Sequence, residues 1–350
     1  MSPPESVWGD PTALRCTALD AASTRQACPA TALAQRGLSL NQDLNINQPV
    51  ASPALATTPS SSLSALTALL RPRQWLKNGL VLLAPMLVDP AAVLRYSIPI
   101  ALTLLAFTAA AAGVYVFNDL RDRERDRVHP VKRHRPLASK SVSVRAAIVL
   151  LALLEICTLA MTLRLPPLVG LVIAVYTVMN LWYCISLKHQ ALVDVCVVST
   201  GFVLRALAGF LAAGVYPRFS LFICIYSTCL ALSLGKRRHE LARAQDDPNA
   251  LWHRPALASY SVQFLDQAVV LTLVSALAGY VAFVWLDVRP SGELAAALTF
   301  PFAVFAVCRY LQMLTVQRGG GDPVRDLAKD RKTLVTCALW VAALVAGVML

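Results

Sequence analysis

From residue 75 onward the chain returns repeatedly to apolar runs about the length that crosses a bilayer, roughly 20 residues of helix. Nine are read: Leu76–Val88, Tyr96–Phe117, Val144–Leu163, Pro167–Leu187, Leu192–Val215, Phe219–Leu234, Leu265–Leu286, Glu293–Leu314 and Thr333–Leu350. A chain with this pattern folds as an all-α polytopic bundle. In lipid each backbone N–H and C=O must find its partner within its own segment, which a helix provides. Composition agrees, with 57% hydrophobic and 15% charged residues, against about a quarter charged in soluble domains. Whole-chain disorder, coiled coil and disulfide scaffold are excluded. The net charge of +12 would suggest nucleic acid in a soluble protein. Here the cations sit in loops between spans, and no nucleic-acid partner is expected.

Residues 1–65 differ from the rest, being rich in Ala, Ser, Thr, Pro and Gln. Such a segment buries too little apolar surface to offset its ordering entropy, so it is read as a disordered extension preceding a membrane domain over 66–350. The nine cysteines form no C-x-x-C pair and are read as small buried hydrophobes.

Lys and Arg set the orientation. Alternate connections, together with the entry to the first span, carry 23 of them, and the opposite turns carry four: Arg95, Arg164, Arg218 and Arg289. The N-terminus and the large basic loops are therefore expected in the cytoplasm, with the protein in the inner (plasma) membrane.

Topology needs basic loops but not acids interleaved with them. After the second span the chain reads Asn118-Asp119-Leu120-Arg121-Asp122-Arg123-Glu124-Arg125-Asp126-Arg127. Asp119, Asp122 and Asp126 are three and four apart, so on a continuing helix they share a face. Carboxylates beside an amide suit Mg²⁺, a hard ion usually shared with substrate phosphates. The spacing equally allows a solvated loop whose acids and arginines pair locally. Two more charges lie inside apolar runs: Asp194, and Arg205 about three turns beyond it. They are too far apart to pair with each other, so each needs its own partner in a polar cavity. The five histidines, His129, His134, His189, His239 and His253, are read as surface residues. The Gly319-Gly320-Gly321 run is read as a hinge, since no Lys-Ser/Thr pair follows it.

The Asn-Asp-x-x-Asp-x-x-x-Asp motif, followed by the basic turn His129-Pro130-Val131-Lys132-Arg133-His134-Arg135-Pro136, resembles the UbiA superfamily of intramembrane prenyltransferases. Three further segments resemble its decaprenyl-phosphate phosphoribosyltransferase branch. They are Arg71-Pro72-Arg73-Gln74-Trp75-Leu76-Lys77-Asn78, the run from Lys188 through Asp194 to Arg205, and Gly321-Asp322-Pro323-Val324 with Lys329-Asp330-Arg331. Two departures stand out. Lys236-Arg237, with Glu240 the nearby acid, replaces the second Asp-rich motif of aromatic prenyltransferases. Ser139-Lys140 replaces a small residue and Gly after the Arg-Pro turn.

The resemblance implies a UbiA-like bundle of about nine transmembrane helices, dependent on Mg²⁺, that transfers 5-phosphoribose from phosphoribosyl diphosphate to a polyprenyl phosphate. The product class feeds arabinose donors for the cell envelope. Asp119, Asp122 and Asp126, oriented by Asn118, would hold the metal, and Asp194 would stabilise positive charge developing at the ribose. Lys77, Lys132, Arg135, Lys188, Lys236 and Arg237 would grip phosphates, with Tyr183, Arg205 and Glu240 also contacting substrate. Homo-oligomerisation is left open. The alternatives are isoprenyl transfer to an aromatic acceptor in the same fold, and a lipid or anion transporter.

Overall fold

A computed structural model describes residues 62–244, 255–287, 292–317 and 319–349. The expected extension falls almost wholly outside them, as do Asp246, Asp247 and His253. The described residues are helical and contain no strand. In chain order the helices are α1 (Ser62–Leu70), α2 (Leu80–Met86), α3 (Pro90–Arg95), α4 (Ser97–Arg127), α5 (Val144–Thr162), α6 (Pro167–Ile185), α7 (Val193–Ala212), α8 (Phe219–Ala244), α9 (Val262–Asp287), α10 (Gly292–Thr315), α11 (Pro323–Lys329) and α12 (Arg331–Met349). Seven of these, α4 to α10, are long and apolar enough to cross a membrane. The chain is an integral multi-pass membrane protein.

The first expected span is not a continuous α-helix. Pro72–Gly79 forms a 3₁₀ helix that runs into the seven-residue α2. At about 2.0 Å and 1.5 Å of rise per residue, the two pieces together reach roughly 26 Å, close to the ~30 Å hydrocarbon thickness. This composite rod is seated by contact with α7. A Cβ on Gly209 would fall inside the van der Waals shell of the Val81 carbonyl, so only glycine admits the approach.

Several helices exceed the hydrocarbon thickness, α4, α8, α9 and α10 among them, and the ends of α4 and α8 carry the site. With 31 residues α4 spans about 46 Å, and with 26 residues α8 spans about 39 Å. Their C-terminal turns therefore project beyond the ~30 Å hydrocarbon layer. The acidic motif rides on the projecting end of α4, and Lys236 to Glu240 on that of α8.

Apolar packing holds these ends together. Phe107 of α4, Ile173 and Tyr176 of α6, Ala208 of α7 and Val81 of α2 form one buried cluster. Ala231 and Leu234 of α8, Leu265 and Val269 of α9 and Leu314 of α10 form a second. Phe210 of α7 and Val284 of α9 belong to a third, which includes Ala84 of α2 and Ala295 of α10. Fixed ends complete the frame: Asp89, Ser143 and Asp322 each accept a backbone N–H at a helix start, of Ala92, Ala146 and Arg325 respectively.

Candidate functional site

The end of α4 supplies one wall. The helix runs unbroken through Asn118 to Arg127, so the acids do share a helical surface, but they do not converge on one point. Asp119 is buried and accepts from Arg71 Nη2 at 2.5 Å and Arg135 Nη1 at 3.1 Å. The same Arg135 nitrogen donates to Asp126 Oδ2 at 2.8 Å. Arg71 also stacks its guanidinium 5.0 Å from the Tyr115 ring centroid. Asp122 faces the other way and accepts from Lys188 Nζ at 2.7 Å on both oxygens, while Asn118 Oδ1 lies 3.4 Å from the same ammonium.

The second wall is built where α7 meets α8. Asp194 is buried in the first turn of α7, and its Oδ2 accepts from Arg237 Nε and Nη2, each at 2.9 Å. Arg237 Nη1 donates to Glu240 at 2.8 Å. The Tyr260 hydroxyl lies 3.5 Å from Asp194 Oδ1 and accepts the Leu192 N–H at 2.5 Å. Burial pushes the Tyr260 phenol up, keeping it protonated. Its bond to Leu192 matters because Leu192 has φ of 64° and ψ of −45°, a sparsely populated backbone conformation that costs a non-glycine residue about 1–3 kcal/mol.

Arg205 forms the floor. Its Nε donates to Asn78 Oδ1 at 2.7 Å, Nη1 to the Gly201 carbonyl at 2.6 Å and Nη2 to the Tyr176 hydroxyl at 2.8 Å. The rings of Tyr176, Phe202 and Phe107 lie 4.6, 5.5 and 5.6 Å from the guanidinium carbon. Arg205 and Asp194 each have separate partners, as their spacing implied, but those of Arg205 are neutral and its charge is uncancelled by any of them.

Between these walls lies a cavity of about 1090 Å³, open at the end of the bundle where α4 and α8 project. Of the expected site residues, Lys77, Asn118, Asp122, Asp126, Lys132 and Arg135 line it, as do Tyr183, Lys188, Arg205, Lys236, Arg237 and Glu240. Asp119 and Asp194 do not. Asp119 is turned into the Arg71–Arg135 bridge, and Asp194 is locked on Arg237. Asp194, expected to stabilise charge at the ribose, is bonded to Arg237 and does not line the cavity.

Sequence reasoning missed several lining groups. Arg71 and Tyr176 bracket the cavity, and His129, His189 and His239, read as surface residues, also line it. Burial pushes the His189 imidazole down, favouring the neutral ring. His239 belongs to α8, and its Nδ1 lies 2.9 Å from the Gly319 carbonyl, so it pins the glycine run against that helix. Gly320 takes φ of 104° and donates its N–H to Asp326. Lys140 departs from the family's glycine yet keeps a left-handed φ of 64°. The turn thus holds a glycine-like path with a strained lysine.

Among the described residues no group of three or more His, Cys, Asp or Glu side chains is placed to hold a metal ion. The arrangement that does fit a divalent cation is smaller. Asn118 Oδ1 and both Asp122 oxygens converge on a single cationic centre, the Lys188 ammonium, at the cavity wall. That ammonium stands where a hard ion with oxygen ligands would sit, the remaining positions being open to water or phosphate.

The chain matches the UbiA prenyltransferase family over residues 80–325. It is 34% identical over 297 residues to a decaprenyl-phosphate phosphoribosyltransferase from Mycobacterium tuberculosis, covering 83% of this chain and 96% of that protein. An enzyme of the same name from Mycolicibacterium smegmatis is 32% identical over 317 residues, covering 86% and 96%. Among solved structures, a UbiA homolog from Archaeoglobus fulgidus bound to GPP and Mg²⁺ superposes with a TM-score of 0.60 at 17% identity, covering 82% of this chain and all of that one.

Proposed function

The chain belongs to the UbiA prenyltransferase family, and from that premise we propose that it transfers 5-phosphoribose from phosphoribosyl diphosphate to a polyprenyl phosphate of the decaprenyl class. In this reaction the bond from ribose C1 to the diphosphate breaks, and diphosphate leaves with the electron pair. A new bond forms from C1 to a phosphate oxygen of the lipid. The observation that carries the reading is the near full-length similarity to two enzymes named for this activity. It sets isoprenyl transfer and transport aside.

The residues support the chemistry. Asn118 and Asp122 would hold a divalent ion, Mg²⁺ on this reading, with Asp126 facing the same cavity. When bound, the ion supplies charge to the departing diphosphate. Lys188, released from Asp122, then has a diphosphate oxygen as its partner, and Lys132 and Arg135 line the approach. The acceptor is already an anion at neutral pH, so no strong general base is required. Asp119 keeps Arg71 and Arg135 in register, and Asp194 does the same for Arg237.

The protein lies in the plasma membrane with this cavity open to the cytoplasm. The support is the 23-to-4 division of Lys and Arg, together with a donor that is water-soluble and made inside the cell. The product class serves the cell envelope. Mass measurement of lipids formed from labelled phosphoribosyl diphosphate in purified membranes tests the whole reading. Phosphoribosylated polyprenyl phosphate is the expected product. Robust prenylation of 4-hydroxybenzoate from a prenyl diphosphate, with no ribosyl transfer, would overturn it.

A further inference from the structure

The cavity has two chemically different ends. At one, Asn118, Asp122 and Asp126 bring oxygens to the wall among cations that those acids already neutralise. At the other, Lys77, Arg205 and Lys236 face the same space with no carboxylate bound to them among the described residues. Lys77 and Lys236 make no hydrogen bond or ion pair with the described residues, and both are exposed to the cavity. Arg205 spends its bonds on an amide, a carbonyl and a phenol. Asn78, which orients Arg205, is the neighbour of Lys77 in the chain, so the cations are tied together structurally.

The contrast with Arg237 is informative. It adjoins Lys236, yet Asp194 and Glu240 cancel its charge. Where the fold needs a structural cation, it supplies acids. Three cations left without acids lose energy through mutual repulsion in a partly desolvated corner, and an anion without a metal relieves it. Phosphate monoesters fit, since charge-assisted bonds from fixed cations are the strong ones. Both reactants carry one: the 5-phosphate of the donor and the headgroup of the lipid.

Three observations favour the lipid. Arg205 lies twelve residues into α7 from Val193, about 18 Å along the axis, deep enough to approach the bilayer midplane. Phe202 and Tyr176, which line the cavity, lie against its guanidinium, giving an apolar setting for the first isoprene unit. The 3₁₀ helix that carries Lys77 exposes Trp75 and Leu76 on its outer side, where the tail can lie. The cavity, at about 1090 Å³, also exceeds the ~300–1,000 Å³ usual for one small ligand. Resting on the phosphoribosyl-transfer reading, we propose that the Lys77–Arg205–Lys236 corner seats the phosphate of the polyprenyl acceptor, while the Asn118–Asp122 wall takes the metal-bound donor.

The test uses the full-length protein in nanodiscs, with farnesyl phosphate as a short acceptor and phosphoribosyl diphosphate with Mn²⁺ as donor. Lys77→Met and Lys236→Met are cavity-exposed changes that leave the Arg205 bonds intact. Each should weaken farnesyl phosphate binding at least tenfold and leave donor binding within about threefold. Farnesol should bind wild type and variants alike. Weakened donor binding with farnesyl phosphate unaffected would assign the corner to the 5-phosphate and overturn the proposal. So would unchanged binding of both ligands, or equal loss of both. A wild type that discriminates neither farnesyl phosphate from farnesol nor phosphoribosyl diphosphate from diphosphate would instead sink the functional reading itself.

Discussion

If a divalent cation is held by Asn118 and Asp122 as proposed, it competes with Lys188 for the same oxygens, and this sets a measurable expectation. Nζ lies 2.7 Å from each Asp122 oxygen, and the two side chains are 15% and 22% exposed. Exposed ion pairs are worth about 0.2–1 kcal/mol, while hydrogen bonds to charged groups in shielded settings reach roughly 1.5–3 kcal/mol. This pair falls between, at about 1–2 kcal/mol. An incoming ion must displace the ammonium before it can use Asp122 and Asn118. Lys188→Met removes the competitor and should therefore strengthen Mn²⁺ binding by about 5- to 30-fold, at ~1.4 kcal/mol per decade. Electron paramagnetic resonance of Mn²⁺ with nanodisc-embedded protein, in the absence of donor, measures this directly. Asp122→Asn is the control and should abolish the bound signal. Turnover should move the opposite way in Lys188→Met, because the diphosphate loses a cationic partner. Mn²⁺ affinity that stays level or falls would refute the competition and the placement of the ion at Asn118–Asp122.

The two leading aspartates should behave differently. Asp122→Asn should remove metal-dependent turnover and lower the melting temperature only slightly, by the loss of its Lys188 pair, whereas Asp119→Asn should lower it further, since Arg71 and Arg135 lose a shared buried carboxylate. Identical melting curves for the two would contradict the geometry. Arg237→Ala strands Asp194, whose side chain is 3% exposed, at a cost of about 3–5 kcal/mol. A clear drop in thermal stability is expected, one that Lys236→Ala, on a lysine with no partner among the described residues, should not show. Gly209→Ala drives a methyl group into the Val81 carbonyl and should destabilise by about 1–3 kcal/mol, read by thermal unfolding in detergent. An unaltered melting curve would mean that α2 does not approach α7 as closely as described.

The sequence discloses what depends on one-dimensional spacing. Apolar length identifies α4 to α10, and the i, i+4 relation of Asn118 and Asp122 survives because α4 runs straight through both. The first span shows the limit of that reading. An apolar run has no period that separates an α-helix from a 3₁₀–α composite, and the break is set by Pro72 at the helix start and by the contact at Gly209. The histidines fail for a related reason. A loop residue and a residue on a projecting helical turn look alike in sequence, so the cavity position of His239 follows only once α8 is known to extend beyond the bilayer.

Partnership is the other hidden quantity, because charge on paper is not charge available to a ligand. Lys236 and Arg237 are adjacent and equally basic, which made them equivalent candidates for an anion. Both line the cavity, but consecutive residues on a helix point about 100° apart, and Arg237 alone of the two also reaches an acid of α7. Asp194, 43 positions upstream, then neutralises Arg237. Asp119 repeats the lesson with opposite sign. The motif offers it beside Asp122 and Asp126 as a metal ligand, while in the structure Arg71, 48 positions before it, and Arg135 hold its carboxylate, which does not line the cavity. In both cases the deciding partner lies on another helix, in a pairing that motif spacing does not encode. On the proposed reading, the cations of the acceptor corner are those that no described acid pairs, and the oxygens offered to the metal are those of Asn118 and Asp122, which Lys188 occupies in this structure.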